Sequence, residues 1–353
     1  MTGSRRLWFL VPGDLDTPTG GYRYDRHILA GLRSMGWEVH YRRLEGAFPE
    51  PDADDLDQSG RVIRAIPDGE TVVVDGLAYG AMPDLAADQA DRLHLIALVH
   101  HPLAAETGLS PERAAQLRGS ETRALAQAQL VLVTSRHTAK LLDHYGVSPR
   151  RVRVVEPGTD PGAPAAPSRD GTLRLLCVGA LIPRKGHDLL LRALAPLRGL
   201  DWRLTCAGSA ARDPDHALSL ARLRDDLGLS HQVGFTGALD DAALRQCYRE
   251  SHLFVLATRF EGYGMVLAEA LAHGLPIVST AAGAVPDTVP PHAGLLVPPD
   301  DPAALAQALR RLMQDRGLRR RLAAGALAAG RRLTTWPQAA RAFAAALEEA
   351  CRG

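Results

Sequence analysis

Short apolar runs alternate with helical stretches along nearly the whole of this 353-residue chain, and that alternation restricts the possible folds more than any other feature. The first half offers Leu7–Val11, Glu38–Tyr41, Thr71–Val74, Leu95–Val99, Leu130–Thr134 and Val152–Val155 as strands. The second half offers Leu173–Val178, Leu204–Ala207, Val233–Phe235, Leu253–Ala257, Ile277–Ser279 and Leu295–Val297. Helical patterns such as Tyr22–Met35, Pro111–Ala128, Thr138–His144, Asp188–Leu197 and Ala217–Leu227 fall between them. Strands separated by helices predict parallel sheets covered on both faces. The alternation breaks once, at the proline- and glycine-rich Pro157–Thr172, which reads as a linker. The expectation is an α/β chain of two Rossmann-like, doubly wound domains, residues 1–160 and 161–332. A last amphipathic helix, Trp336–Cys351, lies in a C-terminal segment 333–353.

Composition narrows the partners. Apolar residues make up 46% of the chain, enough for two cores, while the net charge of +1 gives no field to draw in nucleic acid. Aromatics at 5% also argue against base-stacking platforms, so no nucleic-acid partner is expected. Cys177, Cys206, Cys247 and Cys351 form no CxxC and read as reduced thiols, which makes the cytoplasm the expected compartment. Leu7–Val11 is too brief for a secretory or membrane-spanning segment. No His/Cys cluster has metal-ligand spacing, so no metal is expected. Asp14–Leu15–Asp16, Asp213–Pro214–Asp215 and the run Asp52–Asp57 read as solvated turns. Arg310, Arg311, Arg319, Arg320, Arg321, Arg331 and Arg332 read as a solvated helical face; weak attraction to the surface of an anionic membrane is the lesser reading.

The chemistry concentrates in Glu261–Thr280, EGYGMVLAEALAHGLPIVST. An apolar strand precedes it. Gly262 and Gly264 form a turn, and Met265–His273 reads as a helix closed by Gly274 and Pro276. A helix N-terminus supplies unpaired N–H groups and partial positive charge, which suit a phosphate, and the glycines let a ligand approach the backbone. Glu261 and Glu269 flank this mouth, and carboxylates accept from sugar hydroxyls. Amides for phosphate between two such acids suit a ligand with a hydroxylated ring at each end of its phosphates, the shape of a nucleotide sugar. An ordinary strand–turn–helix with two surface glutamates is the plainer alternative.

Three other stretches fall at strand ends, where ligands of parallel sheets bind. Gly20 and Gly21 precede the first helix; they permit close approach of a phosphate or sugar, and a plain tight turn fits them as well. His100 and His101 end the run Leu95–Val99 and point to opposite faces. In VGALIPRKGHD, Arg184 and Lys185 stand at a strand-to-helix junction, where two cations can neutralise a diphosphate leaving group.

The Glu261-to-Glu269 segment resembles the E-x7-E signature of retaining glycosyltransferases of the GT-B fold, family GT4. The resemblance implies two Rossmann-like domains facing across a cleft, with the last helix crossing back to the first domain. It implies that Glu261 lies by the donor sugar, that the backbone from Gly262 through Tyr263, Gly264, Met265 and Val266 meets the donor diphosphate, and that Glu269 holds the nucleotide ribose. It implies donor contacts from Gly20, Gly21 and His100, with His101 in reserve, and a nucleotide pocket lined by Gly208 and Leu239. The family's G-R-L-x-P-x-K-G pattern matches at Lys185, but Ala180 stands where the family has arginine, and Arg184 is the candidate substitute. The expected activity is metal-independent transfer of a hexosyl group from a UDP- or GDP-sugar, with retention, to an acceptor sugar, lipid or small molecule that the sequence does not identify. A sugar-nucleotide epimerase or phosphorylase on the same plan, and a non-catalytic nucleotide-sugar-binding protein, are the alternatives.

Overall fold

The computed structural model describes residues 5–168 and 170–350. They fold into two compact units, Thr159–Leu333 and a unit formed by residues 1–158 with the C-terminal segment 334–353. Each unit carries one six-stranded sheet. In the first these are β1 (Arg6–Pro12), β2 (Glu38–Leu44), β3 (Thr71–Asp75), β4 (His94–Val99), β5 (Leu130–Val133) and β6 (Val152–Val154). In the second they are β7 (Leu173–Val178), β8 (Trp202–Ala207), β9 (Val233–Gly237), β10 (Leu253–Leu256), β11 (Ile277–Thr280) and β12 (Gly294–Val297). All neighbouring strands are parallel.

The strand orders fix where ligands can enter. The first sheet runs β2-β1-β3-β4-β5-β6 and the second β12-β11-β10-β7-β8-β9, the Rossmann order when read from β7. Chain direction across the sheet reverses between β1 and β3, and between β7 and β10. At such points the connections leave toward opposite faces and open a crevice at the carboxyl ends of the strands. The strands beside these crevices are rigid: β3 and β10 are buried along their whole length. Full burial of each Val, Leu or Phe contributes roughly 1.5–3 kcal/mol.

In the first unit, the helix Trp336–Ala350 packs on the helix Gly20–Ser34. Gly31 makes this approach possible, since a Cβ there would lie 2.4 Å from Ala340 Cβ. Cys351, the last residue of the expected helix, lies outside the described residues. Three acidic stretches expected as solvated turns have more definite roles. Asp52 caps the helix Ala53–Arg64 through a reciprocal capping box with Asp55, so most of Asp52–Asp57 is helix rather than turn. Asp213 caps the helix Pro214–Asp226 by accepting from the His216 amide, with Pro214 at its first position. Asp14 accepts from the Asp16 amide, an Asx turn. Gly20 and Gly21 do not precede the first helix but form its opening turn, with Thr19 as its cap. Among the described residues no helix is long and apolar enough to cross a membrane.

Candidate functional site

In the second unit the crevice between β7 and β10 is assembled by backbone approaches that exclude side chains. After β7 the chain passes Gly179, makes a 3-10 turn at Pro183–Lys185 and enters the helix His187–Leu194 through Gly186, at φ +64°. A Cβ on Gly186 would lie 1.9 Å from the Ala257 carbonyl oxygen. Gly208, expected to line the nucleotide pocket, is held as tightly: a Cβ there would lie 1.9 Å from the Gly179 oxygen. Leu239 is half-buried and packs on the same core.

This loop presents its cations to Glu261. Lys185 Nζ lies 2.6 Å from Glu261 Oε1, with the two side chains 14% and 6% exposed. Burial alone would raise the Glu261 carboxyl, but Lys185 and then Arg184 outweigh it and hold it below its ordinary value. Lys185 is shifted down, by burial first, against the pull of Glu261. Arg184 Nη1 donates to the Phe260 carbonyl at 3.1 Å, so both expected cations reach the β10 loop. That loop is clamped from behind. Arg259 forms a bidentate pair with Asp188 at 2.8 and 3.0 Å, donates to Asp300 at 2.9 Å, and its amide donates to the Arg184 carbonyl.

The helix mouth has the geometry the sequence predicts. Gly264 sits at φ +86° as the residue before the helix Met265–Ala272, and no side chain caps that helix. Among the described residues, each helix of this unit with at least ten residues has an aspartate cap. Met265 and Val266 are half-buried at the open end, as are Gly262 and Tyr263 just before it. Gly283, at φ +57°, brings the loop after β11 against Glu261: a Cβ there would lie 2.3 Å from the Glu261 oxygen. Glu269 is held by Tyr248, whose hydroxyl donates to Oε2 at 2.9 Å. Tyr248 is itself 1% exposed and stacked on His273 and Phe254, so it fixes the carboxylate from within the core.

The first unit carries its own polar cluster. His100, just past β4, has Nε2 at 3.2 Å from Asp25 Oδ1 and 3.3 Å from Asp75 Oδ2. Both carboxylates are at most 1% exposed. Burial would lower the imidazole, but the two carboxylates outweigh it and raise it to about 10, so His100 is an imidazolium at neutral pH. Asp25 is shifted up by burial, against the opposing pull of His100. Gly21 packs on this ring, where a Cβ would meet His100 Cδ2 at 3.2 Å, whereas Gly20 is exposed. His101 turns away to Glu106, at 3.5 Å.

Asp25, Asp75, Tyr248 and Arg259 were not singled out by the sequence. Asp75 had a signal, an acid closing the apolar strand TVVVD beside a direction reversal. Asp25 and Tyr248 lie within helices and had none.

Two Rossmann-like sheets, each with a buried charge cluster at its crevice and the second with a helix that no side chain caps, define a two-domain α/β class of protein. The family model described as Glycosyl transferases group 1 matches residues 172–315, and that of Glycosyltransferase Family 4 matches residues 73–163. The chain belongs to this glycosyltransferase family. It is 34% identical over 283 residues to a D-inositol 3-phosphate glycosyltransferase of Streptomyces bingchenggensis, covering 74% of this chain and 61% of the relative. A protein of the same name from Frankia alni is 38% identical over 245 residues, covering 62% and 58%. The chain thus spans about three-fifths of the length of these curated relatives. Among solved structures, sucrose-phosphate synthase from Thermosynechococcus elongatus matches 98% of this chain and 99% of its own, with a TM-score of 0.82 at 21% identity. HepE of Anabaena, in complex with UDP and glucose, matches 96% and 98%, with a TM-score of 0.76 at 19% identity. These likenesses establish the two-domain α/β GT-B fold.

Proposed function

We propose that this protein transfers a sugar from a nucleotide-sugar donor to a hydroxyl acceptor, with retention at the anomeric carbon and without a metal ion in the chemistry. The observation that carries the reading is the Lys185–Glu261 pair beside the uncapped helix at Gly264. In this reading the amides of Met265 and Val266 receive the donor diphosphate. Glu269, fixed by Tyr248, accepts from the ribose hydroxyls. Glu261, kept ionised by its cations, accepts from hydroxyls of the transferred sugar.

Chemistry then consists of breaking the bond between the anomeric carbon and the diphosphate oxygen, which leaves with the electron pair, while the acceptor hydroxyl oxygen bonds to that carbon on the same face and gives its proton to the departing diphosphate. Lys185, Arg184 and the helix amides stabilise the charge that develops on that oxygen, the kind of contribution that fixed, preorganised donors make best. In the first unit we assign His100, an imidazolium whose ring packs on Gly21, as a cation suited to a phosphate. Retention rests on the family membership, and no double displacement is invoked.

The names of relatives select the first reagents: UDP-glucose, which HepE binds in one solved complex, and D-inositol 3-phosphate, which the Streptomyces relative's name specifies. A thermal-shift screen across UDP- and GDP-sugars identifies the donor, because a ligand that binds only the folded chain raises its melting temperature. Proton NMR of donor with candidate acceptors then reads the anomeric configuration of the product. Formation of an α-linked product from an α-linked donor supports the proposal. Epimerised donor without an acceptor favours the epimerase alternative. Tight binding with neither transfer nor slow donor hydrolysis favours a binding protein.

A further inference from the structure

We propose that Cys177, Cys206 and His187 form a binding site for a soft metal ion of filled d shell, Zn2+ or Cu+, inside the second unit. This goes beyond sugar transfer and does not depend on it. Cys177 on β7 and Cys206 on β8 are direct neighbours across parallel strands. His187 opens the helix that follows the Lys185 loop. The three side chains are each 1% exposed, and one ligand atom from each lies within 4.8 Å of the others. Ligands of one zinc ion, at roughly 2.3 Å for sulfur and 2.0–2.1 Å for nitrogen, stand about 3.5–4 Å apart, so small side-chain rotations close the gap.

A further observation points to a ligand rather than to packing. Neither ring nitrogen of His187 has a hydrogen-bonding partner of good geometry, although the ring is buried. A buried imidazole left so is costly, and a metal bond to one nitrogen removes part of that cost. Thiolate is the form that binds metal, and two sulfurs with one imidazole select soft ions over Mg2+ or Ca2+. Sequence spacing hid this set, since the ligands come from two strands and a helix rather than from one CxxC.

The location suggests a consequence. Cys177 and His187 stand at the two ends of the loop that carries Arg184 and Lys185, and Cys206 ties both to β8. An ion there staples the loop at its base.

The test uses the full chain, purified under reducing conditions and stripped with a chelator. It is titrated with Zn2+, with Co2+ as the coloured probe for the zinc arm, and anaerobically with Cu+ against a chromophoric competitor. One equivalent bound, with thiolate-to-cobalt charge-transfer bands in the zinc arm or competitor-resistant Cu+ in the other, supports the site and identifies the ion. Cys206→Ala and His187→Asn should each weaken binding by roughly 10–100-fold or more. If these variants fail to fold, protection of Cys177 and Cys206 from alkylation by one equivalent of metal in the unaltered chain takes their place. No binding in either arm, binding unaffected by the substitutions, thiols alkylated equally with and without metal, or a Cys177–Cys206 disulfide in the reduced preparation would overturn the proposal.

Discussion

Removing the charge of Lys185 should do two separable things, and a double-mutant cycle pulls them apart. At 2.6 Å, the attraction between Lys185 and Glu261 is about 6 kcal/mol at an effective dielectric near 20. Desolvating two ions that are 14% and 6% exposed offsets much of that gain. Breaking such a pair from one side strands a buried charge and costs about 3–5 kcal/mol. Lys185→Met keeps the aliphatic stem that lies against Gly179 and should lower the melting temperature of the second unit by about 10 °C. Glu261→Gln should cost less, because the amide still accepts a hydrogen bond. In the double variant neither charge is stranded, so unfolding in urea should recover most of the loss. Sugar transfer should not recover: the leaving diphosphate has lost a cation worth about 10²–10³ in kcat. A double variant as unstable as the sum of the single ones would refute the closed ion pair. Wild-type kcat in Lys185→Met would refute its role in leaving-group stabilisation.

Four further outcomes are expected. Tyr248→Phe, which removes the hydrogen bond that fixes Glu269, should raise the donor KM about tenfold, or ~1.4 kcal/mol, with kcat nearly unchanged; Glu269→Ala should raise it at least as much, as steady-state kinetics will show. The His100 charge contributes stability that is fully present below its unfolded pKa of about 6.5 and is lost as pH rises through about 10. Nitrogen NMR should therefore show His100 doubly protonated at pH 8, and a titration near its ordinary value would contradict the Asp25–Asp75 cradle. Gly186→Ala should destabilise the second unit by more than ~2 kcal/mol, since it combines a left-handed φ with a backbone clash, and chemical denaturation measures the loss. Omitting Mg2+ and Mn2+ should leave the transfer rate within about twofold; an absolute requirement for either would contradict metal-free stabilisation of the leaving group.

The central strands were legible because parallel strands buried on both faces leave continuous apolar runs, as in Leu253–Leu256 and Leu130–Val133. The helix mouth was legible because Gly264 and Gly274 both adopt left-handed φ, at +86° and +68°, and leave a mark in the sequence. The helix Ala53–Arg64 was missed because its acidic first turn looks like solvent-facing loop until Asp52 and Asp55 are seen to cap it. The charge cradle around His100 was hidden for a different reason. Asp25 lies in a helix, Asp75 at a strand end and His100 in a loop, and only the β1–β3–β4 neighbourhood brings them together. The same holds for Tyr248, whose partnership with Glu269 spans 21 residues and two elements.

The account depends most on where the donor's phosphates bind. A crystal structure with the nucleotide sugar bound decides it: the diphosphate should rest on the Met265 and Val266 amides with Lys185 beside it, Glu269 on the ribose and Glu261 on the sugar. Phosphates bound away from that helix end, or either glutamate out of reach of the donor, would contradict it.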